Sequence, residues 1–530
     1  MIHHTAQAPR RKGDVESGTP ESQDNRYIGD PGCYTRGVFG GLDYAVLAGY
    51  FALCAAVGWW TGRGQKNAGE FFKGGGAIPT WAVCLSILAS ETSALTFCAV
   101  PGQAYAGNHT YFQFVVGNLA GRLLVAFLFI PAFYIAGVTS VYEFLGLRFG
   151  PATRGLASLL FLFTRILASG VRLTVAAIIV QAVTGWGFAW CVVAFTAVTA
   201  AYSVYGGIKS IIWTDVLQFF LFIGGAILAL GLILGDIGSA GFQGAVLGTG
   251  KLQIVDSSMS LGKTYTLLTA LVCGPVLTFA THGTDQDLVQ RMLTCKGSRQ
   301  GSMSVIISGL ISLPMVLLFL FIGTALFAFY VHHPDLTPGP EVRQDQVFPH
   351  FIVHQLPIGL RGLVIAAVFA AAMSTTSSAI GALALVAVVD VLKRLRPGAG
   401  DPARDLGLSR IMTGVMAGLL VLVAVGFGSV SKSLLDMGLE VMTYAYGSLL
   451  GVFVLGRLTT SRGSDRGNVA AMLGGVATVL GVRFGVNRHH PLVAWPWFTV
   501  IGFGVTFGMA ALFPPAATSS ACRDASAPLR

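Results

Sequence analysis

A run of hydroxyl side chains interrupts an otherwise apolar segment between residues 357 and 392. All five positions from 374 to 378 carry hydroxyls, and the candidates among them are Ser374, Thr375, Ser377 and Ser378. At about 3.6 residues per helical turn, most of them share one face with Ala371. In hydrocarbon, such a hydroxyl must bond its own helix, a neighbouring helix or a bound ion. Two interpretations follow: a site for a hard cation that prefers oxygen ligands, or hydroxyls bonded to preceding carbonyls in a close helix crossing.

The composition indicates that this hydroxyl face lies inside a membrane protein. Of the 530 residues, 54% are hydrophobic and only 11% are charged, which is atypical of a soluble domain. Apolar runs repeatedly exceed the ~18 to 20 residues that a helix needs to cross about 30 Å of hydrocarbon. We therefore predict an all-α integral membrane protein.

The apolar segments predict thirteen transmembrane helices. They cover approximately residues 43–61, 78–100, 112–137, 152–183, 187–205, 208–235, 265–290, 304–331, 357–392, 409–430, 433–456, 466–484 and 493–513. Lys and Arg are more frequent in the loops on the side of residues 62–78, and Arg291 is counted among these loop residues. By the positive-inside rule that side is cytoplasmic. We expect a multi-pass protein of the plasma (cytoplasmic) membrane, with its N-terminus outside and its C-terminus inside.

Two predicted spans contain polar or helix-breaking residues near their centres. The second carries the sequence ASETS at 89–93, and the seventh carries Gly274 and Pro275 followed by a polar stretch ending at Thr284. If the first span is set aside, these are helices one and six of a ten-helix set. Interrupted helices in corresponding positions of two halves are typical of inverted-repeat transporters, whose site lies near the bilayer midplane.

The domain prediction follows from this division of the chain. It comprises a flexible N-terminal tail, an extra N-terminal helix, a first inverted repeat with core helices one to five, a second with core helices six to ten, two peripheral helices and a C-terminal tail. The predicted boundaries are 1–42, 43–61, 78–235, 265–456, 466–513 and 514–530.

Several segments resemble the sodium/solute symporter family, which includes sodium-coupled carriers of sugars, proline, sialic acid, iodide and vitamins. They are residues 205–218 (YGGIKSIIWTDVLQ), residues 283–291 (GTDQDLVQR), residues 371–378 followed by Asp390 and Lys393, and residues 446–451 (YGSLLG). The resemblance extends from about residue 43 to 455. It implies a leucine-transporter-like five-plus-five inverted repeat, preceded by one helix and followed by two.

The resemblance also implies a sodium site between the first broken helix and the hydroxyl face. Its ligands are the backbone oxygens of Ala89, Thr92 and Ala371 and the hydroxyls of Ser374 and Thr375. The physical chemistry agrees, because a broken helix exposes carbonyls that no amide reaches. Five oxygens from two helices suit a small hard cation better than a soft metal.

Asp215 provides the basis for a second sodium site. It lies inside a predicted span, where an unpaired charge costs about 2.5 to 3.5 kcal/mol even on the most lenient scale. Relatives with a second sodium use a carboxylate at this position with hydroxyls that correspond to Ser374, Ser377 and Ser378. The alternative is an aspartate that is protonated or paired with Lys209. The expected complement is thus one sodium ion, with the second left open.

Charged residues inside two other spans suggest a substrate contact. Arg165 and Arg172 are seven residues apart, so both project from about the same helix face. Acidic-sugar carriers of the family have an arginine on the equivalent helix for the substrate carboxylate. Glu91, in the first helix break, competes for this role because an ion pair between Glu91 and Arg172 would satisfy both groups without substrate.

Further pocket residues are predicted around the two interrupted helices, namely Ser93, Thr96, Gln113, Thr278 and Thr281. His282 is interpreted either as a proton or substrate contact or as a packing hydrogen bond, and it is left out of the predicted site. Sugar-carrying relatives have Asn and an aromatic gate on the seventh span, where this chain has threonines. This difference argues against a neutral sugar as substrate.

The combined prediction is a sodium-coupled secondary active symporter that imports a small polar solute by alternating access. Candidate solutes are an organic acid, an acidic sugar or an amino acid. One alternative is a proton-coupled symporter that uses Glu91, and another is a passive sodium channel, although the Gly-poor helix breaks do not resemble a carbonyl filter.

Other function classes are disfavoured by the sequence. The motifs of phosphate-binding loops, nucleophile elbows and metal hydrolases are absent, so no enzyme activity is predicted. The net charge of +10 is spread over short loops, so the lipid bilayer and not nucleic acid is the expected partner. The oligomeric state is not predicted.

Overall fold

The computed structural model of the protein describes residues 39–340, 342–395, 402–428, 434–488 and 492–515. Within these ranges every secondary-structure element is an α, 3₁₀ or π helix, and no strand is present. Most of the two predicted tails, 1–42 and 514–530, lies outside the described residues.

The described part of the chain forms a succession of α-helices joined by turns and loops. In chain order they are α1 Gly41–Thr61, α2 Ala68–Lys73, α3 Thr80–Glu91, α4 Ala94–Ala106, α5 Tyr111–Leu124, α6 Ile130–Ala136, α7 Val141–Arg148, α8 Pro151–Thr184, α9 Phe188–Val246, α10 Leu267–Thr284, α11 Gln286–Met292, α12 Ser298–His332, α13 Val347–Gln355, α14 Leu360–Val386, α15 Lys393–Leu395, α16 Pro402–Phe427, α17 Leu434–Leu458, α18 Asp465–Gly481 and α19 Pro496–Leu512. Short π-helical turns link α5 to α6 and α14 to α15, and another follows α18.

Ten helical segments in the described ranges are long and apolar enough to cross a membrane, or eleven with the bent pair Ala68–Gly76 and Thr80–Glu91. Two predicted spans, 187–205 and 208–235, share the 59-residue element α9, which changes direction at Gly207. The second predicted span is divided between α3 and α4. The number of thirteen spans therefore stays a prediction.

Gly207 makes the turn within α9 possible. Its backbone has φ 54° and ψ −147°, a region that residues with a Cβ rarely adopt. A Cβ at this position would lie 2.4 Å from the backbone oxygen of Phe71. Glycine thus allows both the kink in α9 and the close approach of α2.

The interruption in the seventh predicted span lies later than predicted. Helix α10 runs through Gly274 and Pro275 and ends at Thr284, and Asp285 in extended backbone (φ −84°, ψ 119°) separates it from α11. Prolines are tolerated within membrane helices when neighbouring helices pack closely. Helix α5 does so at this point, since a Cβ at Gly121 would lie 2.4 Å from the Pro275 oxygen.

Helix α14, which carries the hydroxyl face, lies at the centre of the structure. In its membrane span, 83% of the most apolar window is buried inside the protein. It packs against α1, α3, α4, α8, α9, α11 and α16. Neighbouring helices cover α14 on all sides, so its side chains are apolar on every face except at the buried polar residues, such as those of the hydroxyl face.

We expect Gly207→Ala to destabilise the purified protein. The new Cβ would clash with the Phe71 oxygen, and the strained backbone costs about 1–3 kcal/mol. Thermal unfolding in detergent should show a lower Tm. Gly224→Ala in the same element is the matched control, because no atom lies within 4 Å of its added Cβ. Equal Tm values for the two variants would contradict this account of the turn.

Candidate functional site

The gap between α3 and α4 exposes backbone oxygens in the protein interior. Helix α3 ends at Glu91, Thr92 is extended (φ −88°, ψ 93°), and Ser93 caps α4. The Thr96 amide, which would otherwise continue a helix to the Thr92 carbonyl, donates to Ser93 Oγ at 3.2 Å. The amide four residues beyond Ala89 is that of Ser93, outside both helices. The Ala89 and Thr92 oxygens therefore lack the partners that a continuous helix provides.

Helix α14, which carries the hydroxyl face, packs against both α3 and α4. Thr375 Oγ1 donates to the Ala371 oxygen at 3.0 Å, and Ser374 Oγ donates to Asp215 Oδ1 at 2.8 Å. Each hydroxyl uses its proton in that bond and keeps oxygen lone pairs for a cation. The five predicted ligands are oxygen atoms on two packed elements, a donor set that fits sodium.

Asp215 is fully buried and has three polar partners. Its Oδ1 accepts from Ser374, while its Oδ2 accepts from Ser86 Oγ at 2.6 Å and from an Arg291 terminal nitrogen at 3.1 Å. The same Arg291 nitrogen donates to Ser378 Oγ. The alternative prediction that Asp215 pairs with Lys209 is therefore wrong, because its ion-pair partner is Arg291. A guanidinium lies among the residues predicted for the second sodium ion.

The positive-inside count wrongly assigns Arg291 to a cytoplasmic loop. The side chain is 1% exposed and belongs to α11, the short helix after Asp285, and not to a cytoplasmic loop. It also bonds Asp287 Oδ1 at 2.6 Å, one helical turn earlier. The i, i+4 spacing of these two charges is the signal in the sequence that could have identified the pair.

The buried charges continue from Arg291 to a third helix. Arg165 on α8 donates to Asp285 Oδ2 at 2.9 Å and also to Asp287. Tyr446 on α17 donates to the same Asp285 oxygen at 2.7 Å. Together with Asp215 and Arg291, this network holds three carboxylates and two guanidiniums.

Glu91 belongs to a second polar cluster. Its Oε2 accepts from Arg122 at 2.6 Å, and its Oε1 lies 2.5 Å from His282 Nε2. The predicted Glu91 to Arg172 pair is therefore wrong, because Glu91 faces α5 and α10 whereas Arg172 is on α8. His282, which the predicted site leaves out, is a direct partner of the carboxylate. Its Nδ1 lies 2.9 Å from Thr281 Oγ1.

Arg172 differs from the other intramembrane arginines. It is partly buried on α8, and its Nε is fully buried without a hydrogen-bond partner. Among the residues that the structure describes, no hydrogen bond or ion pair involves its guanidinium. A charged donor group inside the membrane span is thus left without a protein counter-ion at bonding distance.

The remaining predicted pocket residues divide between the helix break and packing contacts. Ser93 and Thr96 form the cap of α4. Gln113 Nε2 donates to the Tyr265 oxygen at 3.1 Å, which holds α5 to the segment before α10. Thr278 is buried where α10 meets α5, and Thr281 belongs to the cluster around His282. The structure therefore brings only some of them near the break.

Comparison with known proteins assigns the chain to a family. Residues 71–475 match the Sodium:solute symporter family. The chain belongs to this family. It is 30% identical over 472 residues to the sodium/iodide cotransporter of Homo sapiens, covering 86% of this chain and 72% of that protein. It is 29% identical over 466 residues to the sodium/sialic acid symporter SiaT of Proteus mirabilis, covering 85% and 91%.

Further relatives and solved structures agree. The human sodium-coupled monocarboxylate transporter 1 is 30% identical over 474 residues, covering 86% of this chain and 75% of that protein. A substrate-bound, outward-open sodium-coupled sialic acid symporter superposes with a TM-score of 0.81 at 27% identity, covering 89% of this chain and 98% of that one. The closed nucleobase-cation transporter Mhp1 gives 0.54 at 16% identity, covering 86% and 95%. The all-helical, leucine-transporter-like fold is confirmed, and the protein is a membrane transporter and not an enzyme.

We expect Thr375→Val and Ser374→Ala to raise the sodium concentration needed for half-maximal transport. Each change removes one oxygen ligand, and we expect about a tenfold effect, equivalent to about 1.4 kcal/mol of ion binding. Sodium titrations of uptake into proteoliposomes measure it.

Thr376→Val is the matched control for this prediction. Thr376 is also buried and donates to the carbonyl four residues earlier, Ala372, but is not among the predicted ligands. Equal sodium dependence in Thr375→Val and Thr376→Val would assign the hydroxyl face to helix packing alone.

Proposed function

We propose that the protein couples inward sodium movement to the import of a small organic anion by alternating access. Family membership supports sodium-coupled symport. The observation that carries the choice of an anion is the Arg172 guanidinium, which has no bonding partner among the described residues. The similar proteins are named for sialic acid, monocarboxylates and iodide, all of which are anions.

An arginine inside the membrane is energetically costly when its charge has no partner. Such side chains almost always face a cavity or a partner, because an unpaired charge in hydrocarbon is expensive. A carboxylate can accept two parallel hydrogen bonds from a guanidinium, which satisfies both ions. Glu91 could have filled this role, but Arg122 and His282 bind both of its oxygens. An organic acid, an acidic sugar or the carboxylate of an amino acid therefore fits Arg172.

Sodium in this proposal binds at Ala89, Thr92, Ala371, Ser374 and Thr375. A cation there would bridge the α3–α4 break and α14, which pack against each other. Loading from the outer side would stabilise the junction that closes the inner side, after which substrate binds and the core reorients. In this step the protein holds the five oxygen ligands in place around the sodium ion.

A second sodium ion at Asp215, Ser374, Ser377 and Ser378 is supported by the buried Asp215 carboxylate, which contacts Ser374 on the hydroxyl face. It would share Asp215 with Arg291, whose guanidinium can retain Asp287 as a partner. The second ion also matters energetically. A monoanion that moves with one sodium ion carries no net charge, whereas a second sodium ion adds ~2.3 kcal/mol per 100 mV of membrane potential.

The proposed location is the cytoplasmic membrane, with the N-terminus outside and the C-terminus inside. The distribution of Lys and Arg among the loops supports this orientation even without Arg291. The predicted inverted repeats at 78–235 and 265–456 correspond to α3–α9 and α10–α17.

Arg172→Ala should abolish binding of the substrate carboxylate while preserving the stabilisation by sodium. Loss of a buried charge pair costs about 2–5 kcal/mol, so we expect at least a thirtyfold weaker affinity. Thermal-shift screening of organic acids, sugars and amino acids, with and without sodium, identifies the ligand and measures the change. Arg172→Lys, which keeps the charge but not the paired geometry, should give an intermediate affinity.

Several outcomes would overturn the proposal. Unchanged anion binding in Arg172→Ala would remove its main support. Uptake driven by a pH jump in sodium-free buffer would favour proton coupling through Glu91. Sodium current at channel rates without substrate would favour a passive channel.

Asp215→Asn should reduce the charge moved per substrate anion. With the carboxylate replaced, we expect one sodium ion per anion and transport that no longer responds to voltage. Reversal-potential measurements in proteoliposomes give this ratio. Asp43→Asn is the control, because Asp43 is also buried and pairs with Arg361, but lies on α1. An unchanged ratio in Asp215→Asn would exclude the second ion from this site.

A further inference from the structure

We infer that the groove between α3 and α12 binds an anionic phospholipid, with the phosphate at Lys296 and one acyl chain lying along the two helices. The inference goes beyond the proposed function, because none of the residues proposed for sodium or substrate lines this groove. It uses the proposed orientation of the protein only to assign the lipid to the cytoplasmic leaflet.

The groove is a cavity of about 600 Å³ that lies open to the surroundings of the protein. All of its lining residues belong to α3, to α12 or to the segments just before them, so two helices form its walls. Side chains at this surface are exposed, since Trp81 on α3 is 53% and Leu310 on α12 is 55% exposed. Helix α12 is a candidate membrane span, and α3 forms one with the segment before it. The open side of the groove therefore faces lipid.

The body of the groove is lined by apolar side chains from both helices. Trp81 and Leu85 are four residues apart on α3, and Ile307 and Ile311 are four residues apart on α12. At this spacing the two members of each pair share one helix face. They offer dispersion contacts along the length of an acyl chain and no hydrogen bonds to a polar ligand.

The length of the groove corresponds to one leaflet of a bilayer. Between Gln300 and Ile311, which both line it, α12 advances by roughly 16 Å at about 1.5 Å per residue. The hydrocarbon core of a bilayer is about 30 Å thick, so each leaflet contributes about 15 Å. An acyl chain that enters at the Gln300 end would therefore extend to about the midplane.

Polar groups collect at one end of the groove. Lys296 and Gln300 flank the first turn of α12, where the N-cap residue Gly297 provides no side-chain cap. The amides at a helix N-terminus attract phosphate groups. The Ile78 amide donates to the Thr294 oxygen at 3.3 Å, so α3 and α12 begin at the same end. An ammonium group beside a helix N-terminus, at the end of an apolar groove, matches an anionic headgroup attached to an acyl chain.

Trp81 places the polar end at the level of the membrane surface. Tryptophan is enriched at the boundary between hydrocarbon and headgroups. Trp81 lies in the first turn of α3, and its ring packs edge-on against Trp213 of α9, with 5.5 Å between the ring centroids. Lysine side chains at this level extend towards the headgroups, and the cytoplasmic leaflet is the one that carries anionic lipids. Lys296 is therefore positioned for a lipid phosphate.

The first experiment measures lipid binding to the delipidated full-length protein by native mass spectrometry. The probes are dioleoylphosphatidylglycerol and dioleoylphosphatidylcholine, which have the same acyl chains and differ in net charge. We expect tighter binding of phosphatidylglycerol, and Lys296→Gln should weaken it about fivefold, the usual effect of one basic residue at an anionic surface. Lys66→Gln is the matched control, because Lys66 is exposed just before α2 and lies outside the groove. Equal binding of the two lipids, or equal effects of the two variants, would overturn the inference.

The second experiment tests the apolar body of the groove. The larger ring in Ile311→Trp would occupy the space of the acyl chain, so this variant should bind phosphatidylglycerol more weakly. Leu310→Trp, at the adjacent position outside the groove, should bind it as the unmodified protein does. Ile307→Phe, which fills the same groove, replaces Ile311→Trp if thermal unfolding shows that this variant does not fold. Equal affinities of the groove-filling variant and Leu310→Trp would refute binding of the chain between α3 and α12.

The third experiment separates a lipid from a soluble phosphate compound. Glycerol 1-phosphate carries the charge of the headgroup but has no acyl chain, so it should leave the Tm of the protein unchanged. Phosphatidylglycerol should raise the Tm, because it contacts both helices of the folded state. An equal rise with glycerol 1-phosphate would assign the polar end to soluble phosphates and contradict lipid binding. None of these outcomes bears on the sodium or substrate residues, which other variants test.

Discussion

The structure depends on one constraint, the satisfaction of polar groups inside a bilayer where water is absent. An unwound turn at Thr92 and Ser93 leaves backbone oxygens without amide partners, and α14, which carries the hydroxyls, packs against both helices that flank this turn. Such a crossing is stable when the oxygens share a proton donor or a cation. Much of the polar interior can be understood as a response to this requirement.

The buried charges follow the same logic in two separate clusters. One runs from Arg165 through Asp285 and Asp287 to Arg291 and Asp215, and it touches α14 through Ser374 and Ser378. The other fixes Glu91 at the helix break. Buried ion pairs contribute little net stability, since desolvation offsets their attraction, but a missing partner is costly. In this protein the first cluster links α8, α9, α11 and α17, and the second links α3, α5 and α10.

Part of this arrangement could be predicted from sequence. The apolar segments gave most helix positions to within a few residues, because a membrane-spanning helix has a fixed minimum length. The sequence ASETS located the break between α3 and α4, and the hydroxyls of 374–378 located the facing helix. The family resemblance, carried by residues such as Asp215 and the segment 283–291, is confirmed by the family match.

The errors share a physical cause. Gly274 and Pro275 mark a helix break in isolation, but α5 packs so closely there that α10 continues to Thr284. Arg291 counts as a loop charge by position, yet the turn at Asp285 directs it into the interior. Arg172 was predicted as the partner of Glu91, but the structure has Arg122 and His282 there. The reason is that sequence spacing does not give the distance between helices. Each error concerns tertiary packing, which local pattern does not determine.

The central claim is that a sodium ion completes the crossing between the α3–α4 break and α14. High-resolution electron cryomicroscopy of the full chain in sodium, and again in N-methyl-D-glucamine, tests it most directly. The account predicts a sodium-dependent density within about 2.5 Å of the oxygens of Ala89, Thr92, Ala371, Ser374 and Thr375. Maps in which these oxygens bond only protein groups in both conditions, with no density between the two elements, would contradict it.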